Sequence, residues 1–109
     1  MCGIIDTKST NSYDLPHQDV TKAITTYIDT ASELYGARGN LELKFVSYIS
    51  HLIGGGATAR AKDIYDAKGI PVALISAYGL NAMRDEYAYK GMATSITDML
   101  SNKPVSLFV

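Results

Sequence analysis

Gly69 to Met83 reads GIPVALISAYGLNAM and carries no charge, with Lys68 just before it and Arg84 just after. Its fifteen residues fall short of the ~20 apolar residues a membrane-spanning helix needs. Burial inside a soluble domain is therefore expected. The stretch divides in two. Ile70 to Ser76 is a short apolar run with β-branched residues, opened by Gly-Ile-Pro. Ala77 to Met83 is richer in helix formers and leads into Arg84-Asp85-Glu86. A buried strand that hands over to a helix accounts for both halves. The alternative is one long helix with Pro71 in its first turn.

A chain of 109 residues is expected to form a single domain, 1–109, with one core. Ten basic and eleven acidic side chains give a net charge of −1, a poor footing for nucleic-acid binding. No run of like charges marks a membrane surface. Neither nucleic acid nor membrane is expected as a partner. Cys2 is the single cysteine, so an internal disulfide is excluded and a reducing, cytoplasmic compartment is the expectation.

Cys2 to Asp6 reads as a first strand and Thr7 to Tyr13 as a polar loop. Asp14 is a candidate N-cap, with Pro16 in the first turn. Val20, Ala23, Ile24, Tyr27, Ile28, Ala31, Leu34 and Tyr35 lay one apolar stripe along a helix over about 15–35. The β-branched run Thr25 to Thr30 leaves helix–strand–helix as the alternative. Leu41 to Ser50 suits a central strand, a helix through Leu41, Phe45, Ile49 and Leu52 being the alternative, and Gly54-Gly55-Gly56 breaks regular structure after it. Ala57 to Lys68 reads as a helix, residues 92–102 as another, and Val105 to Val109 as an apolar tail.

Several residue sets bear on chemistry. The run Gly54 to Arg60 sets glycines and a basic residue before a helix, which suits an anion, yet it lacks the Gly-Lys-Ser/Thr of a P-loop. A plain connection is the favoured reading. His17 and His51 have no ligand partners at metal spacing, so no metal and no cofactor is expected. Tyr78, Tyr87 and Tyr89 lie in or beside the helix after the organising strand and suit a protein interface. The tail is too apolar to float free; it is expected to form an edge strand or to pair with a second copy.

The order of pieces resembles the receiver domains of two-component response regulators. Ile70 to Met92 is similar to the receiver's fourth strand and helix, through Ser76-Ala77 and Gly91-Met92. The segment from Phe45 to Val72 looks like its third strand, loop and helix, and Lys103-Pro104 like its lysine-proline pair. The resemblance implies an α/β fold, a flavodoxin-like doubly wound parallel sheet, here without the last helix. An all-α bundle is the alternative. It also implies a phosphorylation pocket, carried onto Asp6, Ser50, Ser76 and Lys103. Ser50 stands where the acceptor aspartate belongs, and a gapless count would put Asp98 in place of Lys103.

A serine forms no acyl phosphate and adds no charge to hold Mg²⁺. The expected function is therefore a non-enzymatic signalling module, a pseudo-receiver acting through protein contacts with a kinase-pathway protein or with itself. A genuine phospho-acceptor receiver and a small helical immunity or adaptor protein are the alternatives.

Overall fold

The computed structural model describes residues 2–37, 42–89 and 96–109, the side chains of residues 2, 86–89, 96 and 97 excepted. The chain runs through β1 (Cys2–Thr7), β2 (Ser12–Tyr13), α1 (His17–Lys22), a π-helical segment (Ala23–Tyr27) and α2 (Ile28–Ala37). It continues through β3 (Leu43–Ser50), β4 (Leu52–Ile53), α3 (Ala57–Lys68), β5 (Val72–Ser76), α4 (Ala77–Tyr89), α5 (Ile96–Ser101) and β6 (Val105–Phe108). The four longer strands form one parallel sheet in the order β1-β3-β5-β6. The α/β parallel sheet of the sequence reading holds, and the all-α bundle does not.

The uncharged stretch splits where its composition changes. Val72 to Ser76 form β5, and no residue of it is more than 2% exposed. Such a strand must satisfy its backbone on both edges and its side chains on both faces. β3 and β6 supply the edges. On one face Val72 and Leu74 join Val46, Tyr48, Val20, Ala23, Ile28, Ala57, Ala61 and Ile64, drawn from β3, the first helical run and α3. On the other face Ala73 and Ile75 pack with Phe45, Leu100, Met83 and Phe108. Helices thus cover both sides of the sheet, as the doubly wound expectation requires.

The apolar stripe forms one helical run from His17 to Ala37, and the helix–strand–helix alternative is absent. Its β-branched middle still leaves a mark. Thr25 Oγ1 donates to the Thr21 carbonyl at 2.7 Å, four residues back. That hydroxyl competes for a ladder acceptor at the place where the helix widens to the π form. The run starts at His17, with Pro16 as cap residue and no side-chain cap, so Asp14 is not the N-cap. Gly69 ends α3 in the left-handed region at φ 69°, its N–H on the Tyr65 carbonyl at 2.7 Å.

The apolar tail is the edge strand β6, parallel to β5. The Gly91-Met92 pair, and with it the start of the helix expected over 92–102, lies outside the described residues. Among the described residues no helix is long and apolar enough to cross a membrane.

β6 also packs closely against the first turn of α4. The Gly79 N–H donates to Ser76 Oγ at 3.0 Å, and a Cβ at Gly79 would fall on the Phe108 carbonyl. Gly79→Ala is expected to cost about 1–3 kcal/mol of unfolding free energy. Gly55, with open space around it, should tolerate alanine within about 0.5 kcal/mol. Denaturant unfolding followed by circular dichroism measures both.

Candidate active site

β1 is an edge strand, and successive side chains of a strand point to opposite faces. Asp6 therefore faces inward beside Tyr48, its register partner on β3, while Ile5 points the other way and is 62% exposed. The pairing continues one residue past β1, where the Lys8 N–H donates to the Ile49 carbonyl at 2.8 Å. Lys8 thus keeps the alternation and lies on the same face as Asp6. Its Nζ is 3.0 Å from Asp6 Oδ2.

A third charge arrives from the first helical run. Asp19, in the first turn of α1, places Oδ2 3.6 Å from Lys8 Nζ. Tyr13, buried on β2, donates its hydroxyl to the same Asp19 oxygen at 2.7 Å. The Lys8 ammonium stands 5.6 Å from the Tyr13 ring centre, and that ring lies 5.7 Å from the Tyr48 ring. Two carboxylates from different elements thus converge on one ammonium over a floor of two tyrosines. The side chains of Asp6, Lys8 and Asp19 are 30%, 27% and 14% exposed, open enough for a ligand to reach.

Partial burial pulls the Lys8 pKa down, but the hydrogen bond and charge of Asp6 and the charge of Asp19 outweigh it, and the net shift is upward. Lys8 is a fixed cation at neutral pH. Burial, then the Asp19 hydrogen bond and charge, hold the Tyr13 phenol well above its ordinary range. Burial, then the charges of Asp6 and Asp19, do the same to Tyr48. Both phenols stay neutral at ordinary pH, and Tyr13 donates a hydrogen bond to Asp19.

The cluster carries two negative charges and one positive. A phosphate approaching it is repelled unless a further cation is present. Mg²⁺ commonly binds through one or two carboxylates and completes its shell with water and substrate phosphate. Asp6 and Asp19 fit that donor set, because Lys8 and Tyr13 engage their Oδ2 atoms and leave each an Oδ1. Among the described residues there is no group of three or more His, Cys, Asp or Glu that could hold a metal ion.

Of the four residues assigned to a phosphorylation pocket, only Asp6 belongs to this cluster. Ser50 Oγ donates to the Thr10 carbonyl at 2.9 Å and ties down the loop after β1. Ser76 caps α4 through Gly79. Lys103 precedes β6, so in a parallel sheet it sits at the end opposite Asp6. Asp98 lies in the first turn of α5 and is exposed. Of the three interface tyrosines, Tyr78 is 63% exposed with its ring 6.0 Å from that of His51. The side chains of Tyr87 and Tyr89 lie outside the described residues.

Sequence reasoning missed Lys8, Tyr13 and Asp19. The signal for Lys8 was the two-residue step from Asp6, hidden because Thr7 to Tyr13 reads as loop. Asp19 and Tyr13 had no local signal, since only the packing of α1 and β2 brings them to Lys8.

A family model described as "FokI, cleavage domain" matches residues 1–105. No curated protein and no solved structure matches. The family match overturns the receiver resemblance and the two-component role drawn from it. It equally overturns the non-enzymatic function and the exclusion of nucleic acid, since the matched family is a nuclease family that acts on DNA. The physical reason for the error is that a buried strand capped by serine and followed by a helix belongs to α/β architecture in general. Net charge misled in turn, because it measures long-range attraction, whereas cleavage depends on a local arrangement of charges.

The phenols make stability depend on alkaline pH. In the unfolded chain they titrate near their ordinary value of 10.0, and in the fold higher. Above that pH the unfolded state binds fewer protons, so stability is full below about pH 10 and falls as pH rises past it. Urea midpoints measured from about pH 9 to about pH 11.5 should decline, and less steeply in Tyr13→Phe or Tyr48→Phe.

Proposed function

Because the chain belongs to the FokI cleavage-domain family, we propose that it hydrolyses phosphodiester bonds of DNA at Asp6, Lys8 and Asp19, with a divalent cation. The observation that carries this reading is the convergence of Asp6 and Asp19 on the Lys8 ammonium at an open sheet edge. Asp6 and Asp19 would hold the cation. A divalent ion there supplies Lewis acidity toward the phosphoryl oxygen and lowers the pKa of bound water.

The chain's own groups do the remainder. Hydrolysis forms a P–O bond to water and breaks the bond to the leaving oxygen, and negative charge gathers on the phosphoryl oxygens in between. Lys8 stays protonated, so it donates hydrogen bonds to a phosphoryl oxygen or to the attacking water and does not act as the base. Its charge is fixed in place before substrate arrives, which is what electrostatic stabilisation requires. Tyr13 donates to Asp19 Oδ2 and restrains that carboxylate, so that its other oxygen keeps one direction. Asp6 is restrained by the strand register of β1 on β3.

Supercoiled plasmid incubated with the chain and Mg²⁺ should be nicked or linearised, and a chelator should stop the reaction. Lys8→Ala and Asp6→Asn are expected to lower the rate on the order of 10²–10³-fold without loss of fold by circular dichroism. Metal-dependent cleavage that persists at full rate in both variants would sink the assignment of this cluster.

A further inference from the structure

Leu15 is the one non-glycine residue with positive φ among the described residues, at φ 56°. It is also fully buried. An L-residue in that region is strained, and Leu15 precedes Pro16, which biases its neighbour toward extended backbone. A conformation doubly disfavoured by its own chemistry persists only where the surroundings hold it. Three contacts do so. Arg60 Nη1 donates to the carbonyls of Asp14 and Leu15, each at 3.3 Å. The Gly54 N–H donates to the Tyr13 carbonyl at 2.7 Å, where β2 runs beside β4. Gly54 itself admits Asp14 against its backbone, since a Cβ there would stand 2.7 Å from Asp14 Cβ.

The turn at Leu15 joins two members of the site. Tyr13 lies just before it and α1, with Asp19, begins just after. The bend sets the direction in which α1 leaves β2, and hence whether Asp19 meets both Tyr13 and Lys8. On the reading that Asp6, Lys8 and Asp19 form the cleavage site, we infer that Arg60 is a positioning residue for it. Arg60 grips the carbonyls of the Leu15 turn and thereby aims Tyr13 and Asp19 at Lys8. The run Gly54 to Arg60, which in sequence suits an anion, is on this account directed at the protein's own backbone. The carboxylate of Asp14 stands at 4.0 Å from Arg60 Nη1 and is not what Arg60 holds; the two carbonyls are.

The test compares Arg60→Ala, Arg60→Lys and Asp14→Ala in the full chain. Arg60→Ala is expected to lower kcat about 10- to 100-fold, to raise the Mg²⁺ concentration needed for half-maximal rate, and to leave KM for DNA unchanged. Arg60→Lys, which keeps donors near the carbonyls, should recover part of kcat. Asp14→Ala, which keeps both carbonyls, should behave as wild type. A second readout needs neither metal nor activity. The buried Tyr13 hydroxyl proton, hydrogen-bonded to Asp19, should give a slowly exchanging NMR signal that is lost in Arg60→Ala and returns in Arg60→Lys.

A rise in KM alone, with kcat and the Tyr13 signal intact, overturns the inference and makes Arg60 a contact to backbone phosphate. Wild-type behaviour of Arg60→Ala in both readouts overturns it too. If Arg60→Ala fails to fold, Arg60→Met, which keeps the apolar stem and removes the donors, decides: an intact Tyr13 signal with kcat unchanged overturns positioning, and a weakened signal with lower kcat supports it. If the wild-type chain cleaves nothing, the functional reading has failed, while the Tyr13 signal still decides whether Arg60 sets the turn.

Discussion

β5 gives up nearly all contact with water, and the rest of the molecule answers that one demand. A strand buried on both faces has backbone groups that only neighbouring strands can satisfy. β3 takes one edge and β6 the other. Its side chains then require a layer on each side, which the helical run 17–37 with α3, and α4 with α5, provide. Full burial of Leu74 and Ile75 contributes about 1.5–3 kcal/mol each relative to exposure. A polar residue near the middle of β5 would therefore remove more than any surface ion pair supplies.

The site stands at the margin of that sheet. β1 is bonded to β3 along one edge only, so groups at its carboxyl end keep access to solvent while their backbone remains ordered. Asp6 and Lys8 take their orientation from the register, and Asp19 takes its orientation from a helix entered through a strained turn. Rigid placement of opposite charges in a half-exposed setting suits a reaction in which charge develops on phosphate. Tyr13 and Tyr48 line the floor without adding charge, since both phenols are held neutral.

Much of the fold was legible in the residues. The split of the uncharged stretch after Ser76 and the edge strand at the tail follow from composition, and the helix from Ala57 to Lys68 from a 3.6-residue period. The site was legible only at Asp6. A loop reading after Asp6 hid Lys8, because Ser9, Thr10, Asn11 and Ser12 carry turn chemistry and draw the boundary too early. The likeness to receivers rested on β3, α3, β5 and α4, the parts that any parallel α/β sheet must contain. Those parts say how a sheet is buried and nothing of what its open edge does.

Sequence alone determined which segments are buried, because burial follows from local composition and period. It marked Asp6 at the end of a first strand, whereas the structure carried the β1 pairing on to Lys8 and so put the two on one face. Only the tertiary structure decided that Asp19 and Tyr13 meet Lys8, and that Arg60 reaches back to Leu15 across forty-five residues. Those meetings depend on the angle at which one helix leaves a turn. That angle is set by contacts distant in the chain, and no local pattern encodes it.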